Sequence, residues 1–73
     1  MKYISIYDLP SSITETDEFI NCNDYGALDH DDELNDYDLA FEKFAKCRLK
    51  LIDQDWVCEF TEDDYTWFVL TWF

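Results

Sequence analysis

The positions of hydrophobic and polar residues predict strands and helices in different parts of the chain. Lys2 to Tyr7 is a short β-branched and aromatic segment that stops just before the only proline, which is typical of a strand. Ser12 and Glu15 have the spacing of a helix capping box, so a short helix is predicted over residues 13–21. Residues 21–30 show no periodicity and contain the only glycine, and we expect a loop there.

A helical period of apolar residues begins at Asp32. Asp31 or Asp32 can cap this helix, and Lys43 and Lys46 near its end suit the negative end of the helix dipole. The residues predicted to face inward share the spacing of one helix face: Leu34, Tyr37, Ala40, Phe41 and Phe44.

The end of this helix is open on the sequence alone. Continuing the helix to Leu51 puts Leu49 on its polar side. A strand over residues 48–52 instead points the basic side chains outward, as on a protected sheet edge. We favour the strand because it gives a regular alternation.

The last part of the chain has the composition of strands. Strands are predicted over residues 56–60 and 65–72, with turns at 53–55 and 61–64, which gives a β-meander over about residues 48–72. The predicted fold class is α+β, one small domain in which a helix packs on one face of an antiparallel sheet.

The composition agrees with one packed domain. Hydrophobic residues make up 48% of the 73 residues and aromatic residues 19%, which suffices for a core despite a formal net charge of −13. That charge argues against direct binding to DNA or RNA, whose phosphates attract a basic surface. No apolar run reaches the roughly 20 residues that span a bilayer, and the first residues lack the features of a signal peptide. Three cysteines without paired spacing indicate reduced, mostly buried thiols, so we expect a cytoplasmic protein.

Patterns for catalysis and metal binding are weak. The single histidine, His30, lies among carboxylates and is expected to be a solvated loop residue, not a base for Cys22. Four residues match ligand positions of a calcium-binding loop: Asp31, Glu33, Asn35 and Glu42. Asp36, however, stands where that loop requires glycine. We therefore expect no enzyme activity, no metal and no cofactor.

The negative charge is concentrated in one part of the chain. Residues 1–42 carry twelve acidic residues and one basic residue, a net charge of −11, whereas residues 43–73 carry six and four, a net charge of −2. A charged run is usually only a solvated face, but the total exceeds the magnitude of roughly 2–8 that solubility requires. Because self-repulsion destabilises a small domain, we interpret residues 15–42 as a binding surface for a strongly basic partner.

Helical spacing gives these carboxylates separations comparable to those of phosphates along a DNA strand. Side chains three or four residues apart on a helix lie roughly 5–6 Å from each other. Asp32 with Asp36, and Asp38 with Glu42, are two such pairs. The predicted partner-binding residues are all acidic: Asp29, Asp31, Asp32, Glu33, Asp36, Asp38 and Glu42, extended by Glu15, Asp17, Glu18 and Asp24.

In size, acidity and aromatic content the chain resembles small phage and mobile-element inhibitors that mimic DNA, such as anti-restriction and anti-CRISPR proteins. The resemblance is one of type over the whole chain and rests on no aligned motif, so no residue role is carried over. It implies a non-catalytic inhibitor that blocks the basic DNA-binding site of a CRISPR effector or a restriction enzyme. Such an inhibitor would act in the host cytoplasm, as a monomer or a homodimer.

Three other functions are open on the sequence. An immunity or antitoxin-like protein that inhibits a basic nuclease toxin would use the same electrostatic attraction. A divalent-metal-binding module would use the same carboxylates as ligands. A salt-adapted domain would use its acidity for hydration.

Overall fold

In the part of the chain that the structure describes, three strands form one antiparallel sheet, and the last of them in sequence lies at its centre. The structure is a computed structural model that describes residues 1–29 and 33–73. The strands are β1 (Lys2–Ser5), β2 (Arg48–Ile52) and β3 (Asp55–Phe60), in the spatial order β1-β3-β2. The helices are α1 (Ser11–Thr14), α2 (Asp17–Tyr25), α3 (Asp36–Ala45) and α4 (Glu62–Trp72). None of the helices in the described ranges combines the length and apolar character that crossing a membrane requires.

The helices pack on one face of this sheet. Cys58 in β3 pairs with Ile4 on one side and with Leu49 on the other, so the three side chains share a face. On the same face, Phe60 packs against Phe68 of α4 with ring centroids 4.8 Å apart. Burial of these apolar side chains is the main stabilising term of the fold. Helices on one side of an antiparallel sheet confirm the predicted α+β class.

The opposite face of the sheet carries charged side chains. Glu59 in β3 pairs with Tyr3 of β1 and Arg48 of β2, and Lys50 forms an ion pair with Glu59 at 2.9 Å. Leu49 points the other way and is buried. This alternation is the pattern predicted for a strand over residues 48–52, and α3 ends before it at Ala45.

The first strand is shorter than predicted. It ends at Ser5, and Ile6–Asp8 forms a 3₁₀ turn. The Ser5 hydroxyl accepts the backbone N–H of Tyr7 at 3.3 Å, which favours the turn over continued strand pairing.

The predicted helix over residues 13–21 and loop over residues 21–30 have the wrong boundaries. Thr16 caps α2 by accepting the N–H of Phe19 at 3.3 Å, and this helix continues to Tyr25. Thr16, not Ser12, therefore supplies the cap. The four-residue α1 precedes it and has no side-chain cap.

The predicted start of α3 is also wrong, and its predicted inward face is right only for Phe41 and for Phe44, which is partly buried against the core. Asn35 caps the helix, and Asn35 and Asp38 form the capping box. Tyr37 and Ala40 are exposed, whereas Phe41 and Ala45 are buried. The inward face includes a carboxylate, Asp38, which a pattern of apolar residues does not reveal. Leu34 precedes the helix, and the proposed caps Asp31 and Asp32 lie outside the described residues.

The third strand of the predicted meander, residues 65–72, is a helix, and residues 61–64 are not a hairpin turn. The Thr61 hydroxyl accepts the N–H of Asp64 at 3.2 Å and caps α4. Three acidic residues in the first turn stabilise this helix because their negative charges lie at the positive end of its dipole. The aromatic residues of this segment still contribute to the core, as expected, but they do so from a helix.

Candidate functional site

Exposed carboxylates lie on α2, just before it, on the connection between α2 and α3, and at the start of α3. No Lys or Arg occurs between Lys2 and Lys43. We call the exposed, described carboxylates of this region the acidic surface: Glu15, Asp17, Glu18, Asp24, Asp29, Glu33 and Asp36. All seven belong to the predicted partner-binding set.

The outward side of α2 carries two of these carboxylates in line. Phe19 and Cys22 are buried and define the inward side of the helix. Asp17 and Asp24 lie on the opposite side, seven residues apart, which is nearly two full turns and about 10 Å along the axis. Ile20 lies between them and is 42% exposed, so this side of α2 combines charge with apolar surface.

Helices α2 and α3 run antiparallel, which brings further carboxylates together at one end. The Phe19 and Phe41 ring centroids are 5.6 Å apart, whereas at the other end of the pair the Asn35 amide donates to the carbonyl of Tyr25 at 3.0 Å. The end of α2, with Asp24, therefore lies beside the start of α3, with Asp36. Asp29 and Glu33 lie in the connection between these two ends, so four carboxylates of the acidic surface occupy this part of the molecule.

Two exposed tyrosines mark the same end of the helix pair. The rings of Tyr25 and Tyr37 are 5.4 Å apart and their side chains are 61% and 46% exposed. Tyrosine is enriched among residues that dominate binding energy at protein interfaces. Sequence reasoning missed this pair because it placed Tyr25 in a loop and Tyr37 in the core. Gly26 was the available signal, because glycine commonly follows the last residue of a helix and would have indicated that α2 continues to Tyr25.

Asp38 does not belong to the binding surface. Asp38 is 0% exposed, and the backbone N–H of Ala27 donates to both of its carboxylate oxygens, at 3.0 and 2.9 Å. The N–H of Asn35 donates to the same carboxylate at 2.9 Å, and the Cys22 thiol donates to it at 3.2 Å. The Asp38 side chain thus joins the end of α2 to the start of α3. Its predicted role as a contact with a partner is wrong, and its role is structural.

The predicted role of Glu42 as an exposed partner-binding carboxylate is also corrected. Its side chain is half-buried, and its Oε2 accepts the backbone N–H of Leu49 at 2.7 Å. The predicted Asp38–Glu42 pair is therefore not a pair of surface charges. In the other predicted pair, Asp36 is the first residue of α3, so a helical spacing to Asp32 does not apply, and Asp32 lies outside the described residues, as does Asp31.

Gly26 permits the close approach of α2 to Asp38. A Cβ at this position would clash with the Asp38 carboxylate and with the carbonyl oxygen of Cys22. Because both of these groups are fixed by hydrogen bonds, only glycine fits here without a shift of the connection.

The calcium-binding alternative conflicts with the roles of its ligands. Asn35 uses its side-chain oxygen to accept the N–H groups of Tyr37 and Asp38, and Glu42 lies on α3 with Oε2 bound to Leu49. His30 and Asp31 lie outside the described residues. Within residues 1–29 and 33–73, His, Cys, Asp and Glu side chains form no group of three suited to a metal ion.

The three thiols are buried and unpaired. Burial raises the pKa of the Cys22 thiol, and its hydrogen bond to Asp38 raises it further. A hydrogen bond with Cys58 raises the pKa of the Cys47 thiol, and burial adds to this effect. Both thiols are therefore protonated at neutral pH and poor nucleophiles.

The five Lys and Arg residues lie outside α1 and α2. Lys43 is in the last turn of α3, Arg48 and Lys50 are on β2, and Lys2 is on β1. Lys46 follows α3, and its ammonium lies 4.4 Å from the centroid of the Trp67 ring. Helices α1 and α2 carry no Lys or Arg, whereas α3 has Asp36 in its first turn and Lys43 in its last.

Comparison of the chain with protein-family models, curated proteins and solved structures finds no match.

Proposed function

We propose that this protein is a non-catalytic inhibitor that mimics nucleic-acid charge and blocks the basic DNA-binding site of a host defence protein, a CRISPR effector or a restriction enzyme, in the host cytoplasm. The acidic surface is the observation that carries this proposal. It presents exposed carboxylates on α2, on the connection to α3 and at the start of α3, in a stretch of sequence that contains no Lys or Arg. A site that binds phosphates through Lys and Arg attracts such a surface through the same charges.

The fixed position of these carboxylates supports binding. Asp17 and Asp24 project from a capped helix, and the hydrogen bonds of Asp38 hold the connection to α3. An acidic surface that is already ordered loses less conformational entropy on binding than a flexible acidic tail does. This is the physical advantage of a folded mimic.

The tyrosine pair supports a protein partner. Tyr25 and Tyr37 offer exposed aromatic surface beside Asp24 and Asp36. An arginine in a DNA-binding site can stack on a tyrosine ring while its guanidinium pairs with a carboxylate. The surface therefore combines charge complementarity with two candidate anchoring side chains.

Competition with DNA tests the proposal. The partner is first isolated from host lysate at low salt with the immobilised protein, then purified and bound to a fluorescein-labelled DNA duplex. Addition of the protein is expected to release the duplex, as measured by fluorescence anisotropy, with one protein displacing one duplex. A stable ternary complex of partner, duplex and protein would contradict mimicry. A partner that is a nuclease toxin would assign the protein to the immunity-like alternative.

A further inference from the structure

A groove of about 440 Å³ lies at the end of the sheet where β2 begins and β3 ends. Its walls come from the last turns of α3 and the first turn of α4, and Lys43, Lys46 and Arg48 line it. The volume is within the range of clefts that bind small molecules, roughly 300–1,000 Å³.

Two of the three carboxylates that line the groove have partners within the protein. Glu42 accepts the N–H of Leu49 at 2.7 Å, and Glu59 is paired with Lys50 at 2.9 Å. Asp64 lies in the first turn of α4, where the helix dipole favours a negative charge.

The cations of the groove have unused binding capacity. Neither Lys43 nor Arg48 forms a salt bridge with a carboxylate in the part of the chain that the structure describes. Lys46 contacts the face of the Trp67 ring, which leaves its three donors available to an oxygen acceptor. In a chain with 18 acidic residues, cations without salt bridges around one groove favour an anionic ligand.

The rest of the lining is apolar. Met1, Leu39 and Cys47 contribute carbon and sulfur atoms, and most of the exposed lining is apolar. A ligand that fills the groove therefore needs an apolar body as well as a charged group.

We infer that this groove binds a small organic carboxylate with an apolar body. A singly charged carboxylate fits better than a phosphate dianion because Glu42, Glu59 and Asp64 lie in the same groove and the whole chain carries a charge of −13. The inference is independent of the proposed inhibition, since none of the groove residues belongs to the acidic surface.

Titration with 4-phenylbutyrate, followed by ¹H–¹⁵N NMR spectroscopy, tests the inference. Amide shifts are expected at Lys43, Lys46 and Arg48, and Lys43→Gln is expected to weaken binding between about two- and fivefold. Lys2→Gln is the matched control: it removes the same charge from a lysine that lies over the Tyr65 ring and does not line the groove, and it is expected to leave the affinity unchanged.

Comparison of 4-phenylbutyrate with two further ligands, and of the two Lys→Gln variants, tests whether the groove recognises a carboxylate. The neutral amide 4-phenylbutanamide is expected to bind more weakly than the carboxylate, and equal affinity would show that the cations do not recognise charge. Tighter binding of phenyl phosphate would overturn the assignment of a carboxylate. An equal loss of affinity in Lys2→Gln and Lys43→Gln, or the absence of shifts at the groove, would overturn the site itself.

Discussion

Both carboxylate oxygens of Asp38 accept the backbone N–H of Ala27, at 3.0 and 2.9 Å. Asp38 is the third residue of α3, and Ala27 follows the glycine that ends α2, so the contact spans eleven residues of chain. It sets the position of the two helices that carry the acidic surface. The buried carboxylate of Asp38 therefore orients the exposed ones and is not itself accessible to another molecule.

Replacement of Asp38 by alanine is expected to destabilise the fold strongly. The substitution leaves the N–H groups of Ala27 and Asn35 without their acceptor, at a cost of about 2–5 kcal/mol. This is a large part of the stability of a domain of this size, of the order of 4–11 kcal/mol. Urea denaturation followed by circular dichroism measures the loss.

Asp36→Ala is the matched control for this prediction. Asp36 is exposed and two residues away on the same helix, so its loss is expected to change stability by no more than about 0.5 kcal/mol. Equal stabilities of the Asp36→Ala and Asp38→Ala variants would show that the buried hydrogen bonds do not hold the connection.

Gly26→Ala tests the close approach of the backbone to Asp38. The added methyl group meets the Asp38 carboxylate and the Cys22 carbonyl oxygen, so the connection must shift, at a cost of about 1–3 kcal/mol. Asn23→Ala, at an exposed position of α2, is the control, because alanine favours helices and meets no such contact. A Gly26→Ala variant as stable as Asn23→Ala would argue against the tight packing at this turn.

The sequence was sufficient for the sheet hairpin but not for the last helix. Strands β2 and β3 follow from alternating apolar residues such as Leu49 and Cys58, which pair across the two strands and share the buried face of the sheet. Residues 65–72 have the β-branched and aromatic composition of a strand, but Thr61 caps a helix there. The spacing of Thr61 and Asp64 carried the correct signal, and local composition obscured it.

The candidate site was predictable as a region and not as a set of contacts. The acidic surface could be predicted from the absence of Lys and Arg between residues 3 and 42, because exposed charge depends little on long-range packing. The burial of Asp38 depends on donors from Ala27 and Cys22, which no local pattern contains. A charge-reversal test that included Asp38 and Glu42 would therefore confuse loss of binding with loss of structure.

Neutralising the outward carboxylates is expected to weaken the complex with the partner. The triple variant Asp17→Asn, Asp24→Asn and Asp36→Asn removes three exposed charges of the acidic surface. The loss is expected to be at least about tenfold in Kd, together with a weaker dependence of Kd on salt, because fewer charges are paired in the complex. Isothermal titration calorimetry at several salt concentrations measures both.

A second triple variant distinguishes the effect of charge at the acidic surface from the effect of the net charge of the protein. Asp53→Asn, Asp55→Asn and Asp63→Asn remove the same number of exposed charges from the β2–β3 turn, the first residue of β3 and α4. Both variants raise the formal net charge of −13 by three, so a purely global effect would weaken the complex equally. The control is expected to change Kd less than about twofold.

Glu59 gives the fold a defined pH dependence. The Lys50 ammonium at 2.9 Å, with a hydrogen bond from Tyr3 and the charge of Arg48, holds the pKa of Glu59 below its ordinary value of 4.5. Because the folded-state pKa is lower than the unfolded one, the ion pair stabilises the fold above pH 4.5, and this stabilisation is lost as the pH falls through the folded-state pKa.

The difference in unfolding free energy between the native protein and Glu59→Gln isolates this effect. It is expected to favour the native protein near pH 7 and to shrink as the pH falls below 4.5, even though protonation of the other carboxylates reduces self-repulsion in both proteins. Glu62→Gln, at an exposed position of α4, is the control and should show a smaller change with pH. A difference that stays constant down to about pH 2.5 would mean that Glu59 is already protonated, or unpaired, in the folded protein, and its pairing with Lys50 would then contribute nothing to stability.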